Sequence, residues 1–403
     1  MTRLMQGFPP PPEGQVTLAN WRSPPFSRWA FQHVRELLAT ADIANDPANV
    51  RELESSPIDM GALRIAAGSG GKGPLSLDAF LTETSTDGIV ILHRGRKVFE
   101  RYTNGMTDET PHILMSVSKS MLGLLAGVLI VRGALEPDRP VTDLIPEVAN
   151  TAYTGATIRQ LLDMRAGIAF DEDYLATSGA IVAYRKATGW NPIAAGDELS
   201  DLRSFYRQMR DTVWPHGHSF HYVSPNTDLL GWVIERAAGR RYADLMSELI
   251  WKPMGAARSA YITVDRLGAP RCAGGMCTTV PDLARVGQLI LEGGSRAGCE
   301  IIPSAWIDDI MQNGDPDAWA AGSFGEYFPG VPMHYRSKWY LLRGPAPLLM
   351  GLGIHGQYLF VDKKGEIVIA KASSQDLPLD AERISLTMRA VSCIRDWLAD
   401  GAS

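Results

Sequence analysis

Between Met121 and Val131 the chain is apolar on every side, in the run Met-Leu-Gly-Leu-Leu-Ala-Gly-Val-Leu-Ile-Val. Eleven such residues are too few to cross a bilayer, and a helix without a polar stripe has to be surrounded by protein. Whatever fold this chain adopts must therefore wrap other elements around that helix. Its first turn nevertheless carries Ser116 and, three residues on, Lys119. Residues at i and i+3 share a helix face, so hydroxyl and amine can meet. An ammonium at the mouth of an apolar helix is costly unless paired or neutralised, and the positive end of the helix disfavours it further. The expected result is a serine next to a lysine that gives up its proton easily.

Ser-x-x-Lys is a cheap pattern, with about one chance copy expected in a chain of this size. A second copy, Ser69-Gly-Gly-Lys72, lies among glycines that cannot open a stable helix, so context selects Ser116. The related stretch Ala67-Gly-Ser-Gly-Gly71 only approaches the Gly-x-Ser-x-Gly elbow of α/β-hydrolases, and Lys72 lacks the following Ser or Thr of a phosphate-binding loop.

The remaining chain limits the field. With 403 residues, 45% hydrophobic and 21% charged, it can hold a large core and two domains. A net charge of −6 without a basic block argues against nucleic acid or anionic membranes as partners. Cys272, Cys277, Cys299 and Cys393 show no zinc-like spacing and read as small buried hydrophobes, although Cys272 and Cys277 could pair, and no cofactor or metal motif occurs. Neither a signal peptide nor a membrane span is visible, so a soluble cytoplasmic protein is the expectation.

In chain order, Pro9–Gly14 reads as an extended lead-in, and Ser27 as the cap of a helix bearing Ala30, Phe31, Val34, Leu37 and Leu38. Residues 41–82 read mostly as loop. Asp87–His93 and Lys97–Tyr102 form a predicted hairpin turning at Arg94-Gly95-Arg96. Helices are predicted over Thr157–Gly167, Asp228–Ala238, Tyr242–Leu249, Pro281–Leu291 and Ala381–Leu398, and a second hairpin over Gln357–Asp362 and Glu366–Lys371. Strands at both ends around a helical middle predict an α/β domain built from residues 1–110 and 260–403. Residues 111–259 then form a mainly helical domain, with the Ser116 helix at the interface.

A serine–lysine pair needs a second proton carrier, two N–H donors for the oxyanion and walls that select substrate. Tyr222, in Tyr222-Val-Ser224, is the candidate carrier, because a phenol beside a lysine can be held partly ionised. The N–H of Ser116 is one natural donor, and Gly351-Leu-Gly353 offers backbone without side-chain bulk for the other. The acidic run Asp171-Glu-Asp173 could face a substrate ammonium, although such runs are usually solvated.

Taken together, Ser116-Val-Ser-Lys119, Tyr222-Val-Ser224 and Gly351-Leu-Gly353 resemble the three motifs of the serine β-lactamase and penicillin-binding superfamily, class C branch. Within it, Val16–Leu38, Tyr174 and Gly353-Ile-His-Gly-Gln357 resemble the 6-aminohexanoate-dimer hydrolases. The resemblance implies an α+β, β-lactamase/transpeptidase-like fold, with an antiparallel sheet flanked by helices and an inserted all-α domain. It implies Ser116 as acylated nucleophile, Lys119 as general base, Tyr222 as proton relay, and the N–H groups of Ser116 and Ile354 as oxyanion hole. Tyr174, Ser224 and Gly353 fall on the substrate side. The substrate would be a small linear amide or short ester, and a homodimer is an open possibility by analogy. Two departures matter. Gly351-Leu-Gly353 replaces Lys-Thr-Gly, which removes groups used to hold a β-lactam carboxylate, and Tyr-x-Ser replaces Tyr-x-Asn. A carboxylesterase with little amide hydrolysis, a D-amino-acid amidase or peptidase, and a sensor that acylates once remain as alternatives.

Overall fold

A computed structural model describes residues 4–66, 73–325 and 327–400. Ser69, Lys72 and the Ala67–Gly71 stretch lie outside the described residues. The fold is centred on an antiparallel sheet of seven strands: β1 (Thr86–His93), β2 (Arg96–Tyr102), β3 (Met333–Arg336), β4 (Trp339–Leu342), β5 (Leu348–Gly353), β6 (Gln357–Asp362) and β7 (Ile367–Ser373). They lie in the order β2-β1-β7-β6-β5-β4-β3, so the two ends of the chain meet at the β1–β7 pairing. The β1–β2 turn has both Arg94 (φ 51°) and Gly95 (φ 76°) in the left-handed region, as a tight two-residue hairpin requires.

Five helices position the sheet and the site: α1 (Leu77–Glu83), α2 (Val117–Val131), α3 (Ser224–Ala238), α4 (Val280–Leu291) and α5 (Ala381–Ala399). Because side chains alternate along a strand, Ile89 and Ile91 of β1 join one core with Phe80 of α1 and Ile394 of α5. Val90 and Leu92 point the other way, into a core with Leu283 of α4 and Leu122 of α2. The sheet is thus covered on both faces, and its central strands are buried along their length except for the half-buried His93 at the end of β1.

Helix α2 meets the expectation set by its sequence. It packs against β5 and α3, and its first turn is tied to a second, four-stranded sheet by the N–H of Met276, which donates to Ser118 Oγ at 3.1 Å. Gly123 explains itself by close approach: a Cβ there would lie 2.1 Å from the Ser337 carbonyl oxygen. Only the last turn emerges, with Val131 exposed.

Several boundaries differ from the sequence reading. Ser27 does not cap a long helix; it sits inside a one-turn helix, Ser27–Ala30, because Trp21, Phe31 and Val34 are drawn into a cluster with Trp190. The helix capped by Thr157 ends at Leu162, not Gly167, since the Asp163 carboxylate is taken by the Ser337 N–H and Arg336. Residues 41–82 include most of strand Thr40–Ile43 and all but the end of α1. Helix α3 begins at Ser224 rather than Asp228, with Pro225 in its first turn. All four cysteines are free.

Candidate active site

Ser116 is the N-cap of α2, preceded by Met115 in the left-handed region (φ 45°), so the chain turns sharply as it enters the helix. Lys119 is 1% exposed, and its Nζ lies 2.9 Å from Ser116 Oγ and 2.6 Å from the Ala273 carbonyl oxygen. Burial lowers the Lys119 amine to about 7; Arg271 pushes it the same way, and Glu172 and Asp228 oppose the shift. The cost anticipated for an ammonium at this place is therefore met in part by a readier loss of its proton.

The Ala273 carbonyl has a support of its own. The N–H of Ala273 donates to Asp228 Oδ1 at 2.7 Å, and the other oxygen of Asp228 takes both Arg271 and the Tyr184 hydroxyl. Asp228, on the buried side of α3, thus fixes Arg271, Tyr184 and the loop whose carbonyl holds Lys119.

Tyr222 enters the site from the segment before α3, where the N–H of His221 donates to the Met164 carbonyl oxygen. Its ring stacks on Phe324, and Lys119 Nζ lies 4.9 Å from the ring centroid. The sequence reading of a partly ionised phenol is not what the structure supports. Burial raises the Tyr222 phenol, Glu172 raises it further, and the facing hydroxyls of Ser116 and Tyr340 offset this only partly. Lysine meets the ring face rather than the hydroxyl. Tyr222 is a neutral phenol at this site.

Gly353 closes the opposite side. A Cβ there would lie 2.8 Å from the Leu114 carbonyl oxygen and 3.1 Å from the Ser116 nitrogen, so only glycine lets the end of β5 approach this closely. Ile354 follows at the edge of the cleft. Among the described residues no acceptor takes the N–H of Ser116 or of Ile354. Both are free to meet a ligand oxygen.

The acidic run divides in two. Asp171 and Asp173 are exposed, whereas Glu172 turns inward, accepting the Ser224 N–H at 2.7 Å and the Ser224 hydroxyl. Tyr174 also bonds Glu172, and burial raises its phenol well above the ordinary range. Ser224 therefore ties the Tyr174 loop to the start of α3, and its hydroxyl is already engaged.

Ser116 lies between two cavities, and Tyr174 and Ile354 line both. One is walled by Tyr222, Phe324, Phe328, Tyr340, Tyr358 and Ile384. The other, smaller one is lined by Arg22, Glu172, Arg185, Trp190 and Arg271. The sequence reading brought Ser116, Lys119, Tyr222, Gly353, Ile354 and Tyr174 to this cleft. It missed Asp228, which reads as an ordinary helix residue, and the three arginines, which belong to no local motif.

An antiparallel sheet flanked by helices, with serine and lysine one turn apart at the head of a buried helix, defines the β-lactamase/transpeptidase-like class. The chain belongs to the β-lactamase family, whose model matches residues 77–391. It is 34% identical to a 6-aminohexanoate-dimer hydrolase of Paenarthrobacter ureafaciens, over 91% of this chain and 90% of that one. A Bacillus anthracis structure provisionally named a 6-aminohexanoate-dimer hydrolase superposes with a TM-score of 0.87 at 27% identity, covering 96% of this chain and 97% of the other. Esterase EstB of Burkholderia gladioli is 27% identical over 194 residues, which are 44% of this chain and 47% of that one. No helix among the described residues is long and apolar enough to cross a membrane.

Proposed function

We propose that this chain is a serine hydrolase that cleaves small linear amides and short-chain esters through an acyl-enzyme on Ser116. The observation that carries the reading is the buried Lys119 amine, lowered to about 7 and 2.9 Å from Ser116 Oγ. A base with its pKa near the working pH combines the correct protonation state with useful basicity.

Lys119 takes the Ser116 proton as Oγ attacks the carbonyl carbon, and the N–H groups of Ser116 and Ile354 hold the oxygen that gains the charge. The neutral Tyr222 phenol gives its proton to the leaving nitrogen or oxygen as the bond to the carbonyl carbon breaks. The proton that Lys119 took from Ser116 returns to the Tyr222 oxygen through solvent entering the cleft. Water then attacks the acyl carbon, its proton passes to Lys119 and from there to Ser116 Oγ as the ester bond breaks, and the free acid departs. Tyr174, on the loop anchored by Glu172 and Ser224, borders the scissile bond. The 6-aminohexanoate dimer is the first amide to try, because of the relative named for it.

The test is intact-mass spectrometry of the protein mixed with a panel of linear amides, nitrophenyl esters, D-amino-acid amides and a cephalosporin. An acyl adduct on the wild-type chain, absent in Ser116→Ala, with steady turnover of an amide, is the expected result. An adduct that forms and never clears would instead make the protein a sensor. Turnover of esters alone would make it a carboxylesterase.

A further inference from the structure

We propose that the acyl part of the substrate ends in a carboxylate, which the Arg22–Arg185–Arg271 cavity beside Ser116 receives. The inference deepens the proposed function and rests on it.

The charge inventory is the first ground. Three guanidiniums line this cavity, and the carboxylates within it or bonded to it are Glu172 and Asp228. Asp228 is bound to Arg271, and Glu172 is held by Ser224 and Tyr174. Arg185, 7% exposed, donates only to the carbonyl oxygens of Ala176, Asp173 and Tyr174, and the carboxylates of Glu172 and Asp173 offset its charge from a distance without bonding it. Arg22 donates to the neutral Asn191 side chain at 2.6 Å, and its Nε is buried without a partner. Burial lowers Arg22 to about 9, and the positive charges of Arg185 and Arg271 press in the same direction. Cations crowded in this way with too few anions are stabilised by an arriving carboxylate, and a guanidinium matches one bidentately.

The division of the cleft is the second ground. Tyr222, which gives a proton to the leaving group, lines the aromatic cavity and not the arginine one. The departing amine or alcohol therefore occupies the aromatic side, and the acyl group extends towards Arg185 and Arg22. The substrates that fit are monoamides or monoesters of dicarboxylic acids. A 6-aminohexanoyl group, which ends in an ammonium, would meet the wrong sign of charge. The 6-aminohexanoate dimer, tried first on the strength of a relative's name, is therefore expected to be a weaker substrate than a dicarboxylic monoamide.

Three 4-nitrophenyl esters that differ only at the far end of a six-carbon acyl chain test this: the adipate monoester, its methyl ester, and the 6-aminohexanoate. The expected order of kcat/KM is carboxylate above methyl ester above ammonium, with at least tenfold between the first two. Arg185→Met and, separately, Arg22→Met should each lower the ratio of carboxylate to methyl ester, chiefly through KM. Equal rates for the first two esters, or a preference for the ammonium, would overturn the proposal with wild-type protein alone. If none of the three leaves an adduct on Ser116, the proposed hydrolase itself has failed, which is a different result.

Discussion

Lys119 Nζ lies 2.9 Å from Ser116 Oγ at the one place in helix α2 where an apolar helix meets an open cleft. With the amine lowered to about 7, the fraction able to accept the serine proton grows as pH rises through that value. We expect the single-turnover acylation rate to climb about tenfold per pH unit below 7 and to level off above 8. Lys119→Ala should lose about a thousandfold or more at neutral pH. A rate unchanged between pH 6 and 8 would remove Lys119 from the role of base.

Tyr222 should separate amides from esters. Its buried phenol stays protonated at neutral pH, so it can donate to a leaving nitrogen. A nitrophenolate leaves without that help. Tyr222→Phe is expected to lower amide hydrolysis about a hundredfold or more and nitrophenyl ester hydrolysis less than tenfold. Equal losses on both would make the tyrosine part of the binding wall instead.

Gly353 gives a steric test of the oxyanion site. An added Cβ would meet the Leu114 carbonyl oxygen at 2.8 Å and the Ser116 nitrogen at 3.1 Å, and both are backbone. The end of β5 must then move away from α2, which separates the two donors. Gly353→Ala is expected to cost about a hundredfold in kcat with little change in KM, the signature of a donor lost in the transition state. Wild-type kcat in this variant would move the oxyanion site elsewhere.

These residues were legible because each belongs to a short local pattern: serine and lysine at helical spacing, tyrosine just before a helix, glycines at a strand end. The first hairpin was legible for the same reason, since Arg94-Gly95 announces its turn. The β3–β4 hairpin was not. Its turn is Ser337-Lys338, with φ 48° and 71°, and it contains neither glycine nor asparagine. That conformation is held from outside, by Asp163 accepting the Ser337 N–H at 2.9 Å and by the Leu161 carbonyl accepting Lys338 Nζ at 2.5 Å. The arginine cavity was hidden by distance along the chain. Residues 22, 185 and 271 share a wall only once the fold has closed, and no spacing rule joins them.

Asp228 is a positioning residue, and its effect should appear in the pH profile. It holds the Ala273 N–H at 2.7 Å and neutralises Arg271, and its negative charge raises the Lys119 amine. Asp228→Asn leaves Arg271 uncompensated, and both changes favour the neutral amine. The midpoint of the acylation profile should shift below that of the wild type, while the plateau falls as the Ala273 carbonyl loses its register. Stability should drop by about 3–5 kcal/mol, as when one member of a buried ion pair is removed. A drop in stability with an unmoved midpoint would confine Asp228 to the fold.

Three buried lysines, Lys119, Lys338 and Lys371, give stability a pH dependence of definite sign, and burial lowers Lys338 well below its ordinary value. Lys119 and Lys371 are both lowered from 10.5 to about 7, chiefly by burial; Lys371 sits against Ser373 and the Tyr358 ring. Above pH 7 the unfolded chain keeps protons on these amines that the folded chain has released, so stability rises with pH. Each group contributes at most about 1.4 kcal/mol per pH unit. The window is pH 7 to 8, since the buried thiols of Cys272 and Cys277 are raised in the fold and begin to oppose the trend nearer pH 9. Urea midpoints should increase from pH 7 to 8, and Lys119→Met should reduce that slope while raising stability at pH 7. That variant would be inactive and more stable, because the group needed for proton transfer is the one the core accommodates at a cost. A midpoint that falls over this window would mean that these amines remain charged in the folded protein.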